Sequence, residues 1–186
     1  MTTKTKTTWR TVRLEDLIKI KHGFAFQGKN FSQSPTENVL LTPGNFRIGG
    51  GYKDEKLKYY DGPIPSGYVL SSGDVIVTMT DLSKSGDTLG YPALVPTEEK
   101  RKFLHNQRIG LVEKKSNEAD IHFLYYLMWT SKYHHHIIGT ATGSTIRHTA
   151  PERIQNFEFL LPPIGGEWCQ VPFFGLPGYR VVSSRP

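Results

Sequence analysis

Four groups of side chains in this sequence have the types that address the bases and backbone of nucleic acid. Lys53, Lys56 and Lys58 interleave with Tyr52, Tyr59 and Tyr60, and Ser83, Lys84 and Ser85 follow one another. Arg101 and Lys102 precede Asn106, Gln107 and Arg108, and Thr142, Ser144, Thr145, Arg147 and His148 crowd a single short stretch. Arginine can address guanine through two parallel hydrogen bonds, asparagine and glutamine address adenine, and serine, threonine and lysine hold phosphates. Each is also an ordinary loop side chain. What sets them apart collectively is their concentration in loops between predicted strands, where binding residues gather.

Other chemistries fail on residue type or spacing. A base methyltransferase needs a glycine-rich cofactor loop and an Asn/Asp-Pro-Pro-aromatic signature, and Leu161-Pro162-Pro163-Ile164 lacks both the polar first residue and the aromatic last one. No phosphate-cradling loop of the P-loop type occurs. Asp74 with Asp81 or Asp87 resembles a nuclease carboxylate cluster, but Asp74 sits in Ser71-Ser72-Gly73-Asp74, which is turn chemistry. His134, His135 and His136 are consecutive, and neighbours on a helix diverge by roughly 100 degrees, so three in a row cannot converge on one ion. Pairing one of them with His122 or His148 leaves a metal-dependent hydrolase as a rival reading, without carboxylate or cysteine partners nearby; placement near a helix C-terminus, where histidines suit the dipole, is the alternative. Cys169 has no base beside it, and a lone cysteine forms no intrachain disulfide. No cofactor and no catalysis are expected.

The elements that must position these side chains follow from the apolar pattern. Trp9–Ile20 is an opening segment in which Val12, Leu14, Leu17 and Ile18 share one side, and Gly23 breaks it. Val39-Leu40-Leu41 is a short buried run, Pro43-Gly44-Asn45 a turn, and Gly49-Gly50-Gly51 a flexible bend. Tyr68–Leu70 and Val75–Met79 read as strands, the second largely buried, with Asp81–Gly90 a polar loop and Arg108–Val112 another strand. Asn117 or Asp120 can cap one long helix over Ile121–Ile138 that Gly139 ends; Ile121, Leu124, Leu127 and Met128 form its core stripe. Thr149-x-x-Glu152 has the form of a capping box opening a short second helix, with Pro151 in its first turn. Phe157, Phe159 and Leu161 then alternate as a half-buried strand does.

Length and composition set the outer bounds. A chain of 186 residues with 37% apolar and 12% aromatic residues supports one globular domain. Residues 1–8 are polar and are expected to be a flexible N-terminus rather than a signal peptide, and no stretch approaches a membrane span. A cytoplasmic protein without a membrane partner is therefore expected. The net charge of +6 is unevenly placed: seven Lys or Arg face two acids over residues 1–30, and seven face three over residues 101–150. Brought to one face, these blocks would suit phosphates.

The order of elements adds what spacing cannot. Leu14-Glu15-Asp16-Leu17 before Gly23-Phe24-Ala25-Phe26, then Thr42-Pro43-Gly44-Asn45-Phe46, the Leu70-x-x-Gly73-Asp74 turn, Asn106-Gln107-Arg108, and a Gly143-Ser144-Thr145 loop, short helix and strand ending in Leu161-Pro162-Pro163 succeed one another. This series resembles a target-recognition domain of the specificity subunits of type I restriction-modification systems. The resemblance covers residues 9–163. It implies an α+β fold, a twisted and mostly antiparallel sheet or partial barrel with a few packed helices, and binding of double-stranded DNA through loops. It also implies that a methylation subunit and a restriction subunit carry out the chemistry. In that family a long spacer helix follows the Pro-Pro pair; here residues 164–186 contain Gly165, Gly166, Pro172, Gly175, Pro177 and Gly178, which a long helix excludes. An irregular tail is expected there, of a composition that fits a truncation or a different reading frame. A remnant that contacts a methylation subunit without reading DNA is the corresponding rival.

Overall fold

The computed structural model describes residues 9–81, 83 and 85–162. In chain order its elements are β1 (Arg10–Arg13), α1 (Leu14–Leu17), β2 (Ile18–His22), β3 (Phe31–Ser32), β4 (Asn38–Leu41), β5 (Lys58–Tyr60), β6 (Val69–Leu70), β7 (Val75–Thr78) and β8 (Thr80–Asp81). There follow β9 (Pro92–Leu94), β10 (Lys102–His105), β11 (Ile109–Lys114), α2 (Ile121–Leu127), α3 (Ser131–Thr140), β12 (Arg147–His148), α4 (Pro151–Gln155) and β13 (Glu158–Leu161). Two larger sheets carry the fold, in the orders β3-β5-β4-β10-β6 and β2-β11-β7-β9. Two ribbons, β1-β13 and β12-β8, complete it. All these pairings are antiparallel except β4 with β10, so the expected α+β class with a mostly antiparallel sheet holds, and the described residues form no closed barrel.

The apolar runs go where their pattern sends them. Val39, Leu40 and Leu41 are all buried because β4 has packing on both faces: Val39 and Leu41 join Phe46, Ile76 and Phe103, whereas Leu40 joins Phe26, Tyr60 and Leu104. A parallel central strand reads as a continuous apolar run for this reason. The main core lies between the β2-β11-β7-β9 sheet and the helices, with Ile18, Val77, Leu124, Met128, Tyr133, Ile137, Ile154 and Phe157 at its centre. Full burial of such side chains stabilises by about 1.5–3 kcal/mol each. The opening segment is strand, single helical turn and strand: the Asp16 carboxylate accepts the Arg13 amide at 2.9 Å, and Val12, Leu14, Leu17 and Ile18 are buried together. The two basic blocks meet along β2 and β11, where Lys19 lies opposite Glu113, and at the ends of that pair, where Lys115 donates to the Glu15 carbonyl and Phe24 to that of His105.

Three expectations change. The single long helix is two, because Thr130 interrupts it: its hydroxyl donates to the Leu127 carbonyl at 2.7 Å and accepts the Tyr133 amide at 3.3 Å, closing α2 and capping α3. A threonine that competes for backbone groups favours such a break. Asp120 caps α2, and Gly139 lies inside α3 rather than ending it. The Thr149–Glu152 capping box does not form. Ala150 is the residue before α4, and the buried Thr149 hydroxyl has no hydrogen-bond partner, because its amide is drawn to the Met79 carbonyl at 3.0 Å. The glycine bend at 49–51 is hydrogen-bonded on both sides rather than loose, since Gly49 donates to Asp87 and Gly51 to Pro92. The expected N-terminal segment 1–8 and the tail 164–186 lie outside the described residues.

Candidate nucleic-acid interface

Three of the loops picked out above meet around one residue. The Met79 amide donates to the Arg108 carbonyl at 2.9 Å, and the Met79 carbonyl accepts the Thr149 amide at 3.0 Å. One residue further, β8 pairs with β12, setting Thr80 opposite His148 and Asp81 opposite Arg147. The 106–108 turn, the loop that follows Asp81 and the 142–148 loop therefore leave the sheet side by side.

Each loop is fixed by its own chemistry. Reciprocal bonds between Thr142 and His148, at 3.0 and 2.8 Å, close the 142–148 loop and leave Ser144, Thr145 and Ile146 exposed at its tip. Gly143 makes this possible: its φ is 90°, and a Cβ there would collide with the Ile146 carbonyl oxygen. Arg153 of α4 braces the base by donating to the Thr142 hydroxyl at 3.1 Å, and His148 Nδ1 lies 3.1 Å from the Thr80 hydroxyl. In the neighbouring loop the buried Asp81 carboxylate accepts the Ser83 amide at 2.7 Å, the Thr88 amide at 2.6 Å and the Thr88 hydroxyl at 2.8 Å. Burial alone would raise the pKa of Asp81, but these donors outweigh it and hold the carboxyl below its ordinary value. The Ser83 hydroxyl accepts from the Gly86 and Asp87 amides, so Ser83 shapes the loop from within. Lys84 lies outside the described residues. The loop ends on α3, where the Tyr133 hydroxyl donates to the Gly90 carbonyl at 3.1 Å. The 106–108 turn is held by Gln107, whose amide donates to Phe24, and by Asn106, whose carbonyl accepts the Ile109 amide; Arg108 is exposed, with no carboxylate partner among the described residues.

The other candidates gather on the five-stranded sheet, and acids meet most of them. Arg101 makes two hydrogen bonds to Asp54, at 2.8 and 3.2 Å, and a third to Glu98 at 3.0 Å. The Tyr52 hydroxyl donates to the same Asp54 at 2.7 Å. Hydrogen bonds from Arg101 and Tyr52 hold the Asp54 carboxyl below its ordinary value. Lys102 pairs with Glu37 at 2.8 Å, and Lys53 with Glu55 at 3.6 Å. The Lys58 ammonium lies over the Phe31 ring, 5.8 Å from its centre, and Lys56 is exposed in a left-handed backbone conformation.

The remaining polar residues have structural partners. His134 stacks on Tyr91 at 4.3 Å, His135 is exposed, and His136 Nε2 donates to the Arg153 carbonyl at 2.8 Å, so the three rings diverge as helix geometry requires. Among the described residues no three His, Cys, Asp or Glu side chains are placed to hold a metal ion. Asp74 accepts the Ser71 amide at 2.8 Å, the turn role its sequence context predicts. No helix of the described residues is long and apolar enough to cross a membrane.

The family model of the type I restriction modification DNA specificity domain matches residues 6–170. The chain belongs to this family. It is 25% identical over 156 residues to the type I restriction enzyme EcoBI specificity subunit of Escherichia coli, covering 84% of this chain and 29% of that protein. Its fold is similar to a chain from a structure of type I R-M system assembly, with a TM-score of 0.56 at 15% identity over 84% of this chain and 34% of that one. It is also similar to the type I restriction-modification S subunit from M. genitalium, with a TM-score of 0.51 at 15% identity over 86% and 36%. This specificity domain thus spans about a third of the length of these relatives.

Sequence reasoning missed the residues that hold the loops of the specificity domain in place. Asp81 stands in the sequence as one of three acids, and the available signal is that an aspartate opening a polar loop can accept the amide two residues on, as it does from Ser83. Arg153 carried no signal, because its partners lie across the loop it braces.

Proposed function

We propose that this specificity domain reads the sequence of double-stranded DNA through the three loops gathered around Met79, as part of a specificity subunit of a type I restriction-modification system. In this reading residues 9–163 supply recognition and no catalysis, and separate methylation and restriction subunits act on the site selected. The observation that carries it is the juxtaposition, in a chain of this family, of Arg108, Asn106, Ser83, Thr142, Ser144, Thr145, Arg147 and His148 on adjoining braced loops. Exposed Arg108 and the hydroxyls at the 142–148 tip have the donor types that address base edges and phosphates. Lys84 belongs to the same loop set by sequence. Lys53, Lys56, Lys58, Arg101 and Lys102 contribute a field beside the site, reduced by the acids they meet.

Selection from a randomised duplex library, with and without a methylation subunit, tests the reading. A recovered consensus bound in gel shifts, with affinity falling steeply as salt rises, is expected. Indifference to duplex DNA in both settings overturns it, and retention of the methylation subunit alone would favour the remnant reading instead.

A further inference from the structure

The Arg47–Gly51 turn presents two side chains that the three loops do not account for. Ile48 is 79% exposed, more than any other large apolar residue described. An exposed isoleucine on a loose loop signifies little, but this turn is braced. Arg47 and Gly51 bond each other at 2.9 Å, Gly50 donates to Arg47 at 3.0 Å, Gly49 to Asp87 at 3.2 Å and Gly51 to Pro92 at 2.8 Å. Gly49, Gly50 and Gly51 all take left-handed φ values, and a Cβ on Gly50 would lie 3.1 Å from the Trp129 ring, so the turn rests on Trp129, between α2 and α3, with no side chains along that edge. The amides of Arg47, Gly49, Gly50 and Gly51 all donate to backbone carbonyls, so these four are not turned outward toward an anion. What it offers outward is Arg47, exposed and without a carboxylate partner among the described residues, and Ile48. Through Asp87 the turn is fastened to the loop organised by Asp81 and Ser83.

We infer that Arg47 and Ile48 form a fourth reading element, resting on the proposed DNA recognition: Ile48 packs against the 5-methyl group of a thymine in the major groove, and Arg47 neutralises a phosphate beside it. The thymine methyl is the apolar feature of a major-groove base edge, and apolar side chains meet it there. A β-branched side chain on a braced turn loses little freedom on making that contact. The three glycines that follow add no side chains beside Ile48.

The test uses the duplex recovered by selection and a set of copies in which each thymine in turn is replaced by uracil, which removes only the methyl. One such replacement is expected to weaken binding of the unaltered protein by roughly three- to tenfold, the worth of one buried methyl. Ile48→Ala should weaken binding to the thymine duplex by a similar factor and abolish sensitivity to that uracil. Arg47→Ala should lower affinity for all duplexes and reduce the salt slope by about one. Because Ile48 is exposed, its removal leaves the fold intact. Full affinity of Ile48→Ala for the thymine duplex overturns the inference, as does an unchanged uracil penalty or an equal loss on every duplex. In each of these outcomes the unaltered protein still binds its site, so the failure is that of Ile48 alone; a protein that binds no duplex fails the wider reading instead.

Discussion

The loops around Met79 and the lysine-rich face of the five-stranded sheet contain the same residue types, and the structure treats them oppositely. On the sheet, Arg101 and Lys102 are held by Asp54, Glu98 and Glu37, so their charge is largely neutralised within the protein. At the crossing of β8 and β12 the internal hydrogen bonds run to backbone and to Asp81, Thr80 and Arg153, which fix the loops and leave Arg108 and the 142–148 tip outward. A cation's availability is therefore set by whether a carboxylate stands within reach, and local sequence does not reveal it when, as for Arg101 and Asp54, the partner is far along the chain.

Substitutions can break this contrast. Gly143→Ala should have the largest effect, because the left-handed φ costs about 1–3 kcal/mol for alanine and the Ile146 carbonyl blocks the new methyl. A loss of about a hundredfold in duplex affinity, with unchanged far-ultraviolet circular dichroism, is expected in gel shifts. Arg108→Ala should weaken binding by about 1–3 kcal/mol, and a repeated selection should show relaxed preference at one position of the site. Asp81→Asn leaves at least one buried donor facing an amide, at a cost of about 1–3 kcal/mol to the loop, and faster exchange of the Ser83 and Thr88 amides would report it. Unaltered Asp81 titrates below its ordinary 3.8 in the folded chain, so its stabilisation is complete above that pH and is lost as pH falls through the lowered value. Protection factors at Ser83 and Thr88, in which the intrinsic pH dependence of exchange is divided out, should fall in that acid window and stay constant between about pH 5 and 8. Arg101→Ala should have the smallest effect on DNA, within about twofold, and lower the melting temperature by about 2–4 °C through loss of its partly exposed ion pairs. If Arg101→Ala cost more affinity than Arg108→Ala, the contrast between the two faces would be reversed.

Elements with an apolar period were legible in the sequence. Val39–Leu41, Val75–Thr78 and the alternation of Phe157, Phe159 and Leu161 are buried as their patterns require, since burial against a sheet face is a property of the run itself. The break at Thr130 and the failed box at Thr149 were not legible, because each depends on where a hydroxyl or amide finds a partner. Thr149 sits beside the carbonyl of Met79, 70 residues earlier in the chain, and this tertiary bond overrides the local capping signal. The candidate loops were legible as a set. Their division into a braced, outward group and an acid-paired group arose from contacts across the fold.

The β1-β13 ribbon sets Arg10 directly across from Leu161, so the polypeptide enters and leaves this unit through a single doorway. A module with adjacent doorposts can be spliced into a larger polypeptide, or exchanged for another of its kind, without stretching what lies on either side. Replacing the whole unit therefore leaves the points at which flanking polypeptide joins it side by side, as they are here.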